Sequence, residues 1–169
     1  MRYIIDNPDD YYNAIGDEKI QKCSIFLAGT IDMGNSDDWQ TNTIKSLEKF
    51  SSRITVINPR RKDWDSSWIQ SVENKEFSQQ VLWENDSIYQ SSIVFVNILG
   101  NSQSPITLYE IGLCIGKFPE KLIIYCPLEF YRSGNVHVIA EYYDIPIFTE
   151  YAEALIFLKQ KIKKKLRWE

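Results

Sequence analysis

The sequence predicts one α/β domain: a five-stranded parallel sheet covered by helices. Two observations carry that prediction. Short apolar runs alternate along the chain with segments of helical periodicity. Each run is apolar throughout instead of alternating with polar residues, which marks strands buried on both faces of a parallel sheet. The length of 169 residues suits one core better than two, and 44% hydrophobic with 25% charged residues is a globular composition.

The elements follow from the N-terminus. Residues 1–22 read as an N-terminal appendage to a single domain spanning 1–169, with Asn7-Pro8-Asp9-Asp10 as a turn or cap. CSIFLAG, residues 23–29, is the first buried strand, ends in glycine, and is expected in the middle of the sheet. A helix is expected over about 37–50, with Asp37 as its N-cap. ITVIN, residues 54–58, is the second strand, and Pro59 stops it. A helix over about 74–91 leads into the third strand at 92–98. Pro105 suits the first turn of a helix running to about 117. KLIIYC (121–126) and IPIF (145–148) supply the fourth and fifth strands. The last helix places Tyr151, Ala154, Leu155, Leu158 and Ile162 on one face. Its lysine-rich end suits the negative pole of the helix dipole and reads as a solvated basic terminus.

Composition excludes several function classes. A net charge of −4 argues against a protein that neutralises many phosphates of duplex nucleic acid, whereas a small phosphorylated ligand needs only a local positive spot. Three cysteines in apolar runs, with no CxxC pair, read as reduced thiols in an intracellular, cytoplasmic protein. No run has membrane-spanning length and the start lacks the apolar stretch of a secretory signal. With one histidine and no Cys/His cluster, zinc is not expected. The 5 Trp and 10 Tyr either fill the core or offer a surface on which a base can stack.

Ligands of parallel sheets bind beyond the C-terminal ends of the strands, so three loops matter. AGTIDMGNSDDWQ holds Gly29, where backbone can approach a ligand or close a tight turn, then Thr30 and Asp32. It matches neither GxGxxG nor GxxxxGK[ST], which removes the dinucleotide and P-loop readings. NPRRKDWDSSW holds Arg60 and Arg61, whose guanidinium forks suit phosphate or carboxylate, near Trp64 and Trp68. LGNSQSPITLYEIG runs through small polar residues to Ser104 and a helix start, where free N–H groups attract an anion. Ser104, the N–H groups near Pro105 to Thr107 and at least one of Arg60 and Arg61 are expected to converge on one anion. Glu110 stands in that helix among Ile106, Leu108, Ile111 and Leu113, an apolar setting that would tune its pKa.

Taken together, FLAGTIDMG, NPRR, QQVLWE and SPITLYEIG resemble the nucleoside 2-deoxyribosyltransferase superfamily, in particular its 2-deoxyribosyltransferase-like branch, over about residues 23–117. The superfamily includes the 2'-deoxynucleoside 5'-phosphate N-hydrolases. The resemblance implies a flavodoxin-like three-layer sandwich, cleavage of N-glycosidic bonds, no metal or other cofactor, and a homodimer or higher oligomer. Its nucleophile lies in the pattern small-x-x-E-[IL]-G, which matches Glu110, Ile111 and Gly112. An acid that helps the base leave matches Glu84, counted back from Ser92, with Asp86 as the near alternative. Transferases of the family carry Asp six residues before the nucleophile and the nucleotide hydrolases carry Ser; Ser104 here tilts the expected substrate towards a 5'-monophosphate. Two positions depart from the pattern: Ser92 replaces an Asp that opens the third strand, and Thr30 and Ile31 stand where many members have an aromatic. Two function classes remain open: an N-glycosidase or deoxyribosyltransferase, and a non-catalytic module that binds a nucleotide in the same pocket.

Overall fold

A computed structural model describes residues 3–32 and 35–167. The elements alternate as β1 (Ile4–Ile5), α1 (Pro8–Gly16), β2 (Cys23–Gly29), α2 (Trp39–Ser46), β3 (Ile54–Ile57), α3 (Lys75–Gln90), β4 (Ile93–Asn97), α4 (Pro105–Lys117), β5 (Leu122–Tyr125), α5 (Ser133–Tyr142), β6 (Ile147–Phe148) and α6 (Tyr151–Arg167). The strands form one sheet in the order β1-β3-β2-β4-β5-β6, and every neighbouring pair is parallel. Without β1, that order is the 2-1-3-4-5 arrangement of flavodoxin-like folds.

The sheet has six strands, not the five expected. The extra strand is Ile4–Ile5 at the edge, with Ile4 opposite Val56 and Ile5 opposite Ile57. Two residues are too few to show a hydrophobic period, so nothing local marks them as a strand. Their pairing is nonetheless well made: Val56 N–H donates to the Tyr3 carbonyl (2.7 Å) and Asn58 N–H to that of Ile5 (2.8 Å).

Strand side chains alternate between two apolar layers, because successive residues point to opposite faces. Phe26, Ala28, Val94 and Val96 pack with Tyr11 of α1, Trp83 of α3, Ile111 of α4 and Val136 of α5. Ile25, Leu27, Phe95 and Val56 pack on the other face with Trp39 of α2 and Ala154, Leu158 and Ile162 of α6. The sheet is therefore the middle layer of three, and β2 and β4 lie at its centre. The chain leaves β2 towards β3 on one side and later returns to β4 on the other. That reversal opens a crevice between the loops that follow these strands.

Local signals explain most helix boundaries. Asn74 caps α3, its side chain accepting from Phe77 N–H (2.9 Å). Pro105 occupies the first turn of α4, where its missing N–H costs nothing. For α2 the cap is Asp38, not Asp37: Asp38 accepts from Thr41 N–H (3.0 Å) and Thr41 Oγ1 (2.7 Å), and the α-helix ends at Ser46 before a 3₁₀ turn at Glu48–Phe50. Helix α5 was not expected, since its Gly134, Val136 and Val138 are weak helix formers. Burial of Val136 and Ala140 against the sheet holds it in place.

Candidate active site

The end of β2 is shaped by a close approach of backbones. Gly29 has φ +147°, and a Cβ there would stand 2.1 Å from the Asn97 carbonyl oxygen and 2.8 Å from the Trp39 ring. Only glycine fits. Thr30 N–H donates to that same Asn97 carbonyl (3.0 Å), and Trp39 Nε1 donates to the Thr30 carbonyl (2.8 Å). The chain therefore leaves β2 in a defined direction, with the Thr30 hydroxyl turned inwards.

Thr30 meets Ser102 and Ser104 in a buried ring of three hydroxyls. Thr30 Oγ1 lies 2.6 Å from Ser104 Oγ and 3.0 Å from Ser102 Oγ, and the two serine oxygens are 2.7 Å apart. Leu99 N–H donates to Thr30 (3.0 Å) and Ser102 donates to the Leu99 carbonyl (2.8 Å). Ser104 precedes α4 in the left-handed region (φ 45°, ψ 49°), uncommon for a residue with a side chain, and does not cap the helix. The ring thus takes the serine side chain that an ordinary N-cap would spend on the helix.

Helix α4 turns Thr107, Glu110, Ile111 and Cys114 inwards, spaced as one helical face. Glu110 is buried on that face. On α3 the inward face carries Gln80, Trp83 and Ser87, with half-buried Glu84 beside them. The two carboxyl groups sense each other. Burial pushes the Glu84 carboxyl up to about 7, opposed by a hydrogen bond from Gln80 Nε2 to its Oε1 (2.7 Å). Burial also holds Glu110 well above the usual carboxylate range, and the negative charge of Glu84 raises it further. Two such groups retain a proton between them near neutral pH. Cys114, one turn beyond Glu110, has its thiol pushed up to about 12 by burial and by that carboxylate.

The two arginines are engaged elsewhere. Arg60 donates through Nη2 to the Ser36 carbonyl (2.7 Å) and through Nη1 to Ser36 Oγ (3.1 Å) and the Asp37 carbonyl (3.2 Å). It ties the loop after β2 to the end of β3. Arg61 forms a two-pronged pair with Asp63 (2.9 and 2.7 Å) and lies over the Trp68 ring, whose neighbour is Trp64. Among the described residues, no hydrogen bond joins either guanidinium to Ser104. Nearby carbonyl and carboxylate acceptors satisfy both forks locally.

Asp86 accepts from Tyr12 Oη (2.9 Å), which joins α3 to α1. Asp32 is exposed with φ 47°, and its carbonyl accepts from Asn35 N–H (3.0 Å). The structure thus gathers Thr30 with Ser104 and couples Glu84 to Glu110, while Arg60, Arg61 and Asp86 serve internal contacts. Two residues of this region escaped the sequence reading. Gln80 lies four residues before Glu84, a helical spacing that puts both side chains on one face. Asn97, the last residue of β4, has a buried Oδ1 with no hydrogen-bond partner among the described residues; its position at the end of a central strand was the available signal.

Among the described residues no group of His, Cys, Asp and Glu could hold a metal ion, and no helix is long and apolar enough to cross a membrane. A comparison with curated proteins gave no match. The family described as nucleoside 2-deoxyribosyltransferase like matches residues 22–130, a span that runs from β2 into the loop after β5 and contains Gly29, the hydroxyl ring and both carboxyls. With more than half of its length matched, and with the expected flavodoxin-like strand order, the chain belongs to the nucleoside 2-deoxyribosyltransferase-like family, a class of glycosyl-transferring enzymes that bind nucleosides.

Proposed function

We propose that the protein cleaves the N-glycosidic bond of a nucleoside or deoxynucleoside and passes the sugar to water or to a second base. The observation that carries this reading is the pair formed by Glu110, buried on the inward face of α4, and half-buried Glu84 on α3, whose charge reaches Glu110. In the first step the Glu110 carboxylate attacks the anomeric carbon and forms a C–O bond. The C–N bond breaks, its electron pair leaves with the base, and Glu84 delivers a proton to that base. In the second step the acceptor attacks the same carbon, Glu84 takes the acceptor's proton, and Glu110 leaves as a carboxylate. In the ligand-free pair burial and the Glu84 charge hold the proton on Glu110, so the reaction requires that proton to pass to Glu84 as substrate binds, which leaves Glu110 as the charged nucleophile and Glu84 as the acid.

Gly29, Thr30, Asp32 and Ser104 form the sugar end of this reading, and proton counting at the hydroxyl ring bears on the substrate. Three hydroxyl hydrogens face three oxygen–oxygen contacts and the Leu99 carbonyl, one fewer than the contacts require. A sugar hydroxyl could supply the missing hydrogen, whereas a phosphate would only withdraw one. With Arg60 and Arg61 engaged in internal pairs, the uncharged nucleoside ranks ahead of its 5'-monophosphate. We place a homodimer in the same reading. Val138, Ile139 and Tyr142 of α5, with Tyr143 at its C-cap, leave an exposed apolar stripe, and sedimentation of the purified chain tests it.

The test is free-base release from a panel of nucleosides, deoxynucleosides and their monophosphates, with and without an acceptor base. Glu110→Ala should abolish release, and Glu110→Gln should be nearly as inert because an amide is a poor nucleophile. Glu84→Ala should slow release by about 10²–10⁴-fold, the range for loss of a general acid. Undiminished turnover by folded Glu110→Ala, or ligand binding without any base release by the wild type, would overturn the assignment. The second result would leave a binding module.

A further inference from the structure

Gln80 is buried on α3, and each atom of its amide has a defined neighbour. Nε2 donates to the Pro59 carbonyl (3.2 Å) and to Glu84 Oε1 (2.7 Å), while Oε1 faces Arg61 Nη1 (3.4 Å). These neighbours fix the orientation of the amide by elimination. A guanidinium has only donors, so the amide oxygen must face it. A carbonyl is only an acceptor, so the nitrogen must face Pro59. Glu84 therefore always meets an N–H group and never a lone pair.

We propose that Gln80 is a positioning residue for the carboxyl pair: it reserves Glu84 Oε1 as an acceptor and leaves Oε2 as the oxygen that carries the transferable proton. A protonated carboxyl favours its hydrogen on the oxygen that receives no N–H bond, because the carbonyl oxygen is the better acceptor for the short bond from Gln80. Glu84 Oε2 has no hydrogen bond among the described residues, so Oε2 is the oxygen that takes the proton when Glu84 is the protonated member of the pair. The arrangement also ties the charge of Glu84 to the loop after β3, through Pro59 and Arg61. The groups that bear on Glu84 are Gln80 on its own helix, Arg61 through that amide, and Glu110 on α4. Asp86, two residues along α3, is turned to Tyr12.

This inference rests on the proposed reaction, but its first test does not. Ligand-free protein carrying ¹³C-carboxyl glutamate is titrated by NMR, with Glu84 assigned from the signal lost in Glu84→Gln. Gln80→Met should raise the Glu84 midpoint by about one pH unit, because it removes a donor that favours the ionised form. Should that variant misfold, Arg61→Met releases the amide and should shift the midpoint in the same direction by less. In base release, folded Gln80→Met should lower kcat about tenfold with little change in KM and move the alkaline limb of the pH profile upward. An unchanged Glu84 titration in a folded Gln80 variant overturns the inference. A shifted titration in a protein that releases no base supports the positioning role and overturns the reaction instead.

Discussion

The two carboxyls make stability depend on pH in an unusual direction. A carboxylate paired with a cation stabilises the fold above its unfolded pKa and loses that contribution in acid. Glu84 and Glu110 do the reverse, because burial raises both groups in the folded state and the charge of Glu84 raises Glu110 further. Below the unfolded value of about 4.3 both states are protonated and nothing is lost. As pH climbs from there through about 7 for Glu84, the folded state holds protons that the unfolded chain has released, so stability falls. Glu84→Gln should therefore gain about 2 kcal/mol over the wild type at pH 8 and little at pH 4. Urea denaturation at the two pH values measures this; equal effects at both would show that burial does not perturb the group. Such a cost, paid at neutral pH by a chain that could carry glutamine there, is what a functional carboxyl pair leaves behind.

Among the elements, α2 shows how a single residue decides a boundary. Asp37 and Asp38 are adjacent, both acidic, and both precede the same apolar periodicity. Only Asp38 directs its carboxylate at Thr41 N–H, and Thr41 Oγ1 adds a second bond to it. Asp38→Ala should cost about 1 kcal/mol through the lost cap, while Asp37→Ala should be nearly neutral. Thermal unfolding of the two variants separates them, and the reverse order would show that α2 begins one residue earlier. Arg60 constrains the same region by binding the Ser36 and Asp37 backbone, so the loop that begins with Thr30 is anchored from the end of β3. The expected anion-binding arginine is thereby a staple between two strand-end loops.

In the molecule as a whole, residues 3–22 contribute edge strand β1 and helix α1, with Ile5, Tyr11 and Ala14 buried in the layer that also holds Trp83 and Ile111. Removing them would expose Trp83, the residue before Glu84 on α3, so a chain starting at residue 23 should lose several kcal/mol. Chemical denaturation reads that loss, and an unchanged midpoint would show that the layer closes without α1. The alternation of apolar runs and helices, the central place of residues 23–29, the span of α4 and the position of Glu110 were legible in the sequence, because burial on both faces writes a continuous apolar run and helix starts carry local caps. The resemblance to the family rested on the same residues that the family match covers. Strand β1 was not legible, since its two residues are held by pairing to β3, more than forty residues away. Nor were the partners of Arg60, Arg61 and Asp86, or the coupling of Glu84 to Glu110. Those depend on which side chains from separate loops and helices arrive at the same place. Hydrophobic period and cap chemistry are local properties of the chain, but charge coupling and hydrogen-bond partnership act through space, so the packed layers alone decided them.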